Sequence, residues 1–154
     1  MGDLIERRRE GHVEVWTLNR AGRLNAMPDL ADGEDFAAAC EAANADMDVR
    51  CVVLTGSGRA FSAGGDLKAM KDRRDLFAGS GAEIRERYRR VVHRIVRSLY
   101  RLEVPLVTAI NGPAMGLGCD VAGLGDVKVA SDRAVFGIPF LKDRKSTRLN
   151  SSHT

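Results

Sequence analysis

Polar and apolar residues alternate through "HVEVWTLNR", with Val13, Val15 and Thr17 on one side of the chain and Glu14 and Trp16 on the other. A period of two marks a strand, and "LIERRR" joined through "EG" supplies its partner, so the N-terminus predicts a β-hairpin. "PDLADGEDFAAACEAANAD" shifts to the helical period, with Leu30, Phe36, Ala37, Cys40 and Ala43 recurring on one face. Pro28 is expected in the first turn of that helix, and Gly33 weakens its middle. "VRCVVLTG" is a continuous apolar run closed by glycine, the pattern of a buried strand. Ile84, Tyr88, Val91, Ile95, Leu99 and Leu102 form the stripe of a second amphipathic helix. "VPLVTAINGPAMGLGCDVAGLGDVKVAS" then reads as strand, glycine-rich turn, small-residue helix and strand. The order hairpin, helix, strand, helix, strand, helix, strand predicts an α/β fold.

Composition narrows the classes. The 154 residues suit one domain, with 44% hydrophobic and 29% charged residues and a formal charge of +3. No apolar run is long enough to span a bilayer, so no membrane partner is expected. "MGDLIERRREGHVEVW" has no apolar h-region and predicts no secretion signal. Cys40, Cys51 and Cys119 are odd in number and widely spaced, and the three histidines form no ligand-spaced cluster. Reduced thiols, a cytoplasmic location and no metal site are the expectations. Seven arginines between positions 85 and 101 lie mostly opposite the apolar stripe. They read as a solvated helix face, with an RNA-binding or CoA-phosphate-binding surface as the rival reading. Residues 143–154, "DRKSTRLNSSHT", lose the apolar periodicity and are expected to form a non-native polar tail outside a core spanning 1–142.

Candidate chemistry rests on the glycines. "FSAGGDL" directly follows the strand that ends at Gly56, and "GLGCDV" follows the next one. Neither completes the G-x-G-x-x-G of a dinucleotide site, because the third glycine is Phe61 in "GSGRAF" and Val121 in "GLGCDV". Nor is "AFSAG", around Ser62, a nucleophile elbow, since it opens on Ala60. Taken together, each segment is a small-residue turn that starts a helix and leaves backbone N–H groups free. Two such turns facing one another would form an oxyanion hole, with glycine clearing room for an oxygen.

"NRAGRLNAM", "VRCVVLTGSGRAFSAGGDLKAM" and "PLVTAINGPAMGLGCDVAGLGDVKVASDRAVFGIP" resemble, in order and spacing, the enoyl-CoA hydratase/isomerase (crotonase) family over residues 4–142. The resemblance implies a spiral of strand–strand–helix units, here cut before the family's C-terminal helices, and assembly of the parent protein as a homotrimer or dimer of trimers. It implies an acyl-CoA substrate, with coenzyme A entering as part of that substrate and no separate cofactor, and a place in fatty-acid metabolism. It assigns the oxyanion donors to the N–H groups of Gly65 and Leu117. Leu24, Ala26, Ala63, Gly64, Gly65, Asp66, Leu67, Gly116 and Leu117 match positions that line the substrate channel. Asp66 reads as a helix N-terminal carboxylate serving turn amides.

Family hydratases use two glutamates to add water across the double bond. The first matches Asp120, expected to face the cavity of the two amides as an acid/base. The second falls where this chain has Phe140, which cannot transfer a proton. Single-carboxylate, isomerase-like chemistry is therefore favoured over hydration. The alternative is a catalytically inactive CoA-binding fragment, or an RNA-binding module using the arginine-rich helix; apart from that reading, nucleic acid is not an expected partner.

Overall fold

The computed structural model describes residues 4–138, with the side chain of Leu67 left out. Hairpin strands β1 (Ile5–Glu10) and β2 (Val13–Leu18) pair antiparallel, Ile5 opposite Leu18 and Glu10 opposite Val13. β3 (Cys51–Gly56), β4 (Leu106–Ile110) and β6 (Val127–Ala130) continue the sheet in parallel, in the order β1-β2-β3-β4-β6. Two short strands, β5 (Ala114–Met115) and β7 (Phe136–Gly137), form a separate parallel pair. The helices are α1 (Leu30–Ala45), α2 (Leu67–Lys71), α3 (Gly81–Tyr88), α4 (Arg94–Tyr100) and α5 (Leu117–Gly123). The α/β expectation holds. The sequence periodicity did not reveal the short α2, the 3-10 turns at Ala21–Arg23 and Asp75–Phe77, or the β5–β7 pair.

The core lies between the sheet and the α1–α4 pair. Trp16, Leu18, Val52, Leu54, Leu106 and Ile110 meet Phe36, Ala39, Cys40 and Ala43 of α1, and Val91, Ile95 and Leu99 of the second helical stripe. On β2 the alternation is as read, but the buried face carries Glu14, Trp16 and Leu18 while Val13 and Val15 are half-buried. The large apolar area of Trp16 decides the matter, and its indole N–H donates to Glu14 Oε2 at 2.7 Å. Arg7 adds a forked pair of donors at 2.7 and 3.2 Å. Burial alone would push the Glu14 carboxyl up, yet these donors outweigh it and hold it below its ordinary value.

Two expectations for α1 need correction. Asp29 occupies the N-cap, so Pro28 precedes the cap rather than standing in the first turn. Leu30 is 52% exposed and does not join the stripe. Gly33, read as a weak point, is a packing position. A Cβ there would lie 2.2 Å from the Arg90 carbonyl oxygen and 3.2 Å from Val91 Cα. The second helical stripe is also not one continuous α-helix, because Arg89–His93 forms a π turn between α3 and α4. Gly33→Ala should therefore destabilise the chain by about 1–3 kcal/mol in urea unfolding, despite alanine's better helix propensity. A neutral or stabilising result would show that α1 can move off the π turn freely.

Candidate active site

The two glycine-rich turns are stitched to one another by their backbones. Phe61 and Ser62 N–H both donate to Pro113 O, at 3.0 and 3.2 Å, and Met115 N–H donates to Ser62 O at 2.9 Å. The loop after β2 joins them: Ala63 N–H donates to Leu24 O at 2.8 Å, and Met27 N–H to Gly64 O at 2.7 Å. Gly64 has φ +75° and sits where a Cβ would come within 2.2 Å of Met115 O and 2.9 Å of Leu117 N. Only glycine permits that backbone and that approach. The Gly65 turn is thus packed directly against the Leu117 turn.

This packing leaves the expected amides unused. Gly64 N–H donates to Ser62 Oγ at 3.0 Å, whereas the N–H groups of Gly65 and Leu117 have no acceptor among the described residues. Leu117 is the first residue of α5, where helix geometry leaves an N–H without an internal partner. A Cβ on Gly65 would meet nothing within 4 Å, so its surroundings are open. Gly65, Ala63, Gly116 and Leu117 line one cavity of about 210 Å³, which the sequence pattern had no means to delimit. Its remaining wall is Met27, Met70, Leu76, Phe77, Tyr88, Val92 and Met115.

The other expected residues occupy defined but different places. Leu24 is half-buried with φ +51°, Ala26 is buried, and their segment borders the cavity through Met27. Leu67 opens α2 by its backbone. Asp66 caps α2, accepting from Ala69 N–H at 2.9 Å, while Arg23 Nη2 lies 3.3 Å from its other oxygen. The Ala69 amide first, then those of Lys68 and the Arg23 guanidinium, hold its carboxyl below the ordinary value. Asp120 is exposed and is not one of the cavity-lining residues. Its charge acts on Tyr88 of the cavity wall, where burial first and then Asp120 push the phenol above its ordinary value. Phe140 and the 143–154 tail lie outside the described residues.

Asn25 gives no signal in the sequence, because a single asparagine between Leu24 and Ala26 carries no period. It is fully buried at φ +54°, and its Nδ2 donates to Ser57 O, Ala60 O and Phe61 O. Its own carbonyl accepts from Ser62 Oγ at 2.7 Å, which ties that hydroxyl into the scaffold. The Cys40 thiol is pushed up to about 12 by burial and is inert. Among the described residues no group of three or more His, Cys, Asp or Glu side chains could hold a metal ion, and no helix is long and apolar enough to cross a membrane.

A larger concavity of about 900 Å³ lies between α1 and α4, away from the free amides. It contains Arg89, Arg90, Arg94, Arg97 and Arg101, together with Glu41 and Glu103. Arg94 pairs with Glu34 at 2.7 Å and Arg90 with Glu86 at 3.2 Å. That groove is lined by charged and apolar residues alike and includes neither the Gly65 nor the Leu117 amide.

Comparison with known proteins identifies the family. A model of the enoyl-CoA hydratase/isomerase family matches residues 8–143. The chain is 35% identical to a short-chain-enoyl-CoA hydratase of Clostridium acetobutylicum, covering 85% of itself and 48% of that protein. It is 35% identical to a 1,2-epoxyphenylacetyl-CoA isomerase of Escherichia coli, covering 86% of itself and 49% of the relative. An enoyl-CoA hydratase/isomerase structure from Xanthobacter autotrophicus Py2 superimposes with a TM-score of 0.81 at 32% identity, covering 92% of this chain and 51% of that one. The chain therefore spans about half the length of the curated relatives it matches.

Proposed function

Because this chain belongs to the enoyl-CoA hydratase/isomerase family and has the crotonase fold, matched over residues 8–143, we propose that it binds an acyl-CoA thioester with the carbonyl oxygen between the N–H groups of Gly65 and Leu117. The observation that carries this reading is the pair of unused amides on one cavity. Donors fixed by the fold stabilise an enolate more than the neutral thioester, because the negative charge develops at that oxygen. Coenzyme A itself would remain outside, since the cavity has room for an acyl group only.

Proton transfer then needs one base. Asp120, one helical turn beyond Leu117, is the carboxylate proposed for it. It would take the α-proton, the C–H electron pair would form the enolate, and the proton would return to the α- or γ-carbon. Return to the γ-carbon moves a double bond, which is the isomerase outcome and requires no second acid. The parent is proposed to work as a homotrimer or dimer of trimers. Val127, Val129, Phe136 and Ile138, each more than half exposed, support a covered face there.

Proton exchange at the α-carbon of butyryl-CoA in deuterated buffer, followed by NMR, tests the reading. Asp120→Asn should slow exchange by about 10²–10⁴ while butyryl-CoA still binds in calorimetry. Unchanged exchange would remove Asp120 from the mechanism. Binding with no exchange by the unmodified chain would favour the inactive CoA-binding alternative.

A further inference from the structure

The cavity that holds the two amides has a wall of one chemical kind with a single exception. Met27, Met70, Leu76, Phe77, Val92 and Met115 present apolar side chains, and among the described residues Tyr88 is the only lining one with a polar side chain. Its hydroxyl makes no hydrogen bond to the described residues. Its ring is nonetheless held, edge-to-face with Phe77 at 6.4 Å and with His93 at 6.0 Å. The π turn that begins after Tyr88 accompanies this placement. Val91 and Ile95 enter the core, while Tyr88 and Val92 reach the cavity. Such turns recur at functional sites because they re-aim side chains within an otherwise regular helix.

A plain alkyl chain filling this cavity would strip water from the hydroxyl and return nothing, which is costly for a polar group. An oxygen on the acyl chain would replace that water. Burial and the Asp120 charge push the phenol above its ordinary value, so it stays protonated and a proton donor at neutral pH. We infer that Tyr88 is a specificity residue whose hydroxyl reads an oxygen on the acyl group, so that the cavity prefers acyl-CoA thioesters carrying a hydroxyl beyond the thioester over plain alkyl chains of the same length. This inference rests on the proposed acyl-CoA reading and adds the substrate class to it.

Calorimetry with hexanoyl-CoA, 3-hydroxyhexanoyl-CoA and 6-hydroxyhexanoyl-CoA tests it on the 154-residue chain. At least one hydroxylated ligand should bind about three- to tenfold more tightly than hexanoyl-CoA. In Tyr88→Phe, checked for folding by circular dichroism, that ratio should fall close to one. Equal affinities in the unmodified chain, or a preference that survives in Tyr88→Phe, overturn the inference and leave acyl-CoA binding standing. No binding of any of the three thioesters overturns the underlying reading as well. The chain has two tyrosines, Tyr88 and Tyr100, which permits a second measurement independent of the Phe variant's folding. In a Tyr100→Phe background, the favoured hydroxylated ligand should perturb the tyrosine absorption band in a way that hexanoyl-CoA does not. Identical spectra would also overturn the assignment.

Discussion

Gly65→Pro is expected to slow α-proton exchange on an acyl-CoA thioester by about 10²–10³, the usual cost of one lost oxyanion donor. Proline removes the N–H and puts its ring Cδ where the hydrogen pointed. The φ of Gly65 is not in the positive range, and a Cβ there meets no atom within 4 Å, so the Cβ side of the ring has space. The residue before it is Gly64, the type least restricted by a following proline. Gly65→Ala keeps the N–H and should lose far less, which separates the donor from the bulk of the substituent. The loss should fall on the rate more than on the dissociation constant, because the amide is needed most when charge sits on the oxygen. A Gly65→Pro chain that folds normally and exchanges protons at the original rate would show that no oxyanion hole exists here.

The sheet was legible because a strand's period is short and its buried residues are apolar. "VRCVVLTG" needs no partner to be recognised. The two-turn arrangement was also legible, since glycine at 64 and 116 marks backbone that side-chain-bearing residues cannot adopt. What escaped was anything fixed by contacts distant in sequence. Gly33 looks like a helix defect until the Arg90 carbonyl arrives against it. Glu14 looks exposed until Arg7 and Trp16 satisfy it in the core. Asn25 looks like any loop asparagine, yet it joins the carbonyls of Ser57, Ala60 and Phe61 to the β2 loop. Tyr88 was read as one more member of an amphipathic stripe, because a straight 3.6-residue helix would put it there. The π turn alters that register, and local periodicity carries no signal for it. A helical-turn argument places Asp120 one turn beyond Leu117 on α5, but it carries no sign that the residue is exposed while its charge acts on Tyr88 of the cavity wall.

Arg20→Met is expected to cost about 3 kcal/mol of stability at neutral pH, at the lower end of what breaking a buried ion pair costs, because Arg20 itself keeps some solvent contact. Asp32 has none: its side chain is fully buried and receives Arg20 at 2.8 and 3.1 Å and the Asp29 N–H at 2.8 Å. Burial pushes the Asp32 carboxyl up, and the Arg20 hydrogen bonds are the main opposing influence. Without Arg20 the carboxyl moves further up, which fixes the sign of the pH dependence. Below the unfolded-state value both folded and unfolded Asp32 are protonated, no charge is buried, and the variant's deficit is smallest. As pH rises from that value to the higher folded one, the unfolded chain releases its proton first, so the variant loses stability across this window and then levels off. Denaturant unfolding from acid to neutral pH should show that decline, and it should be steeper than in the unmodified chain. Adding Asp32→Asn should recover part of the loss at neutral pH, since no charge is then left unpaired. The effect should also reach the site, because Arg20 Nη1 donates to Ala26 O at 2.8 Å, next to Met27 of the cavity wall. A variant with a flat deficit from acid to neutral pH would mean that Asp32 finds another cation or water, and that the Arg20 pair fixes the loop without carrying the charge balance of α1.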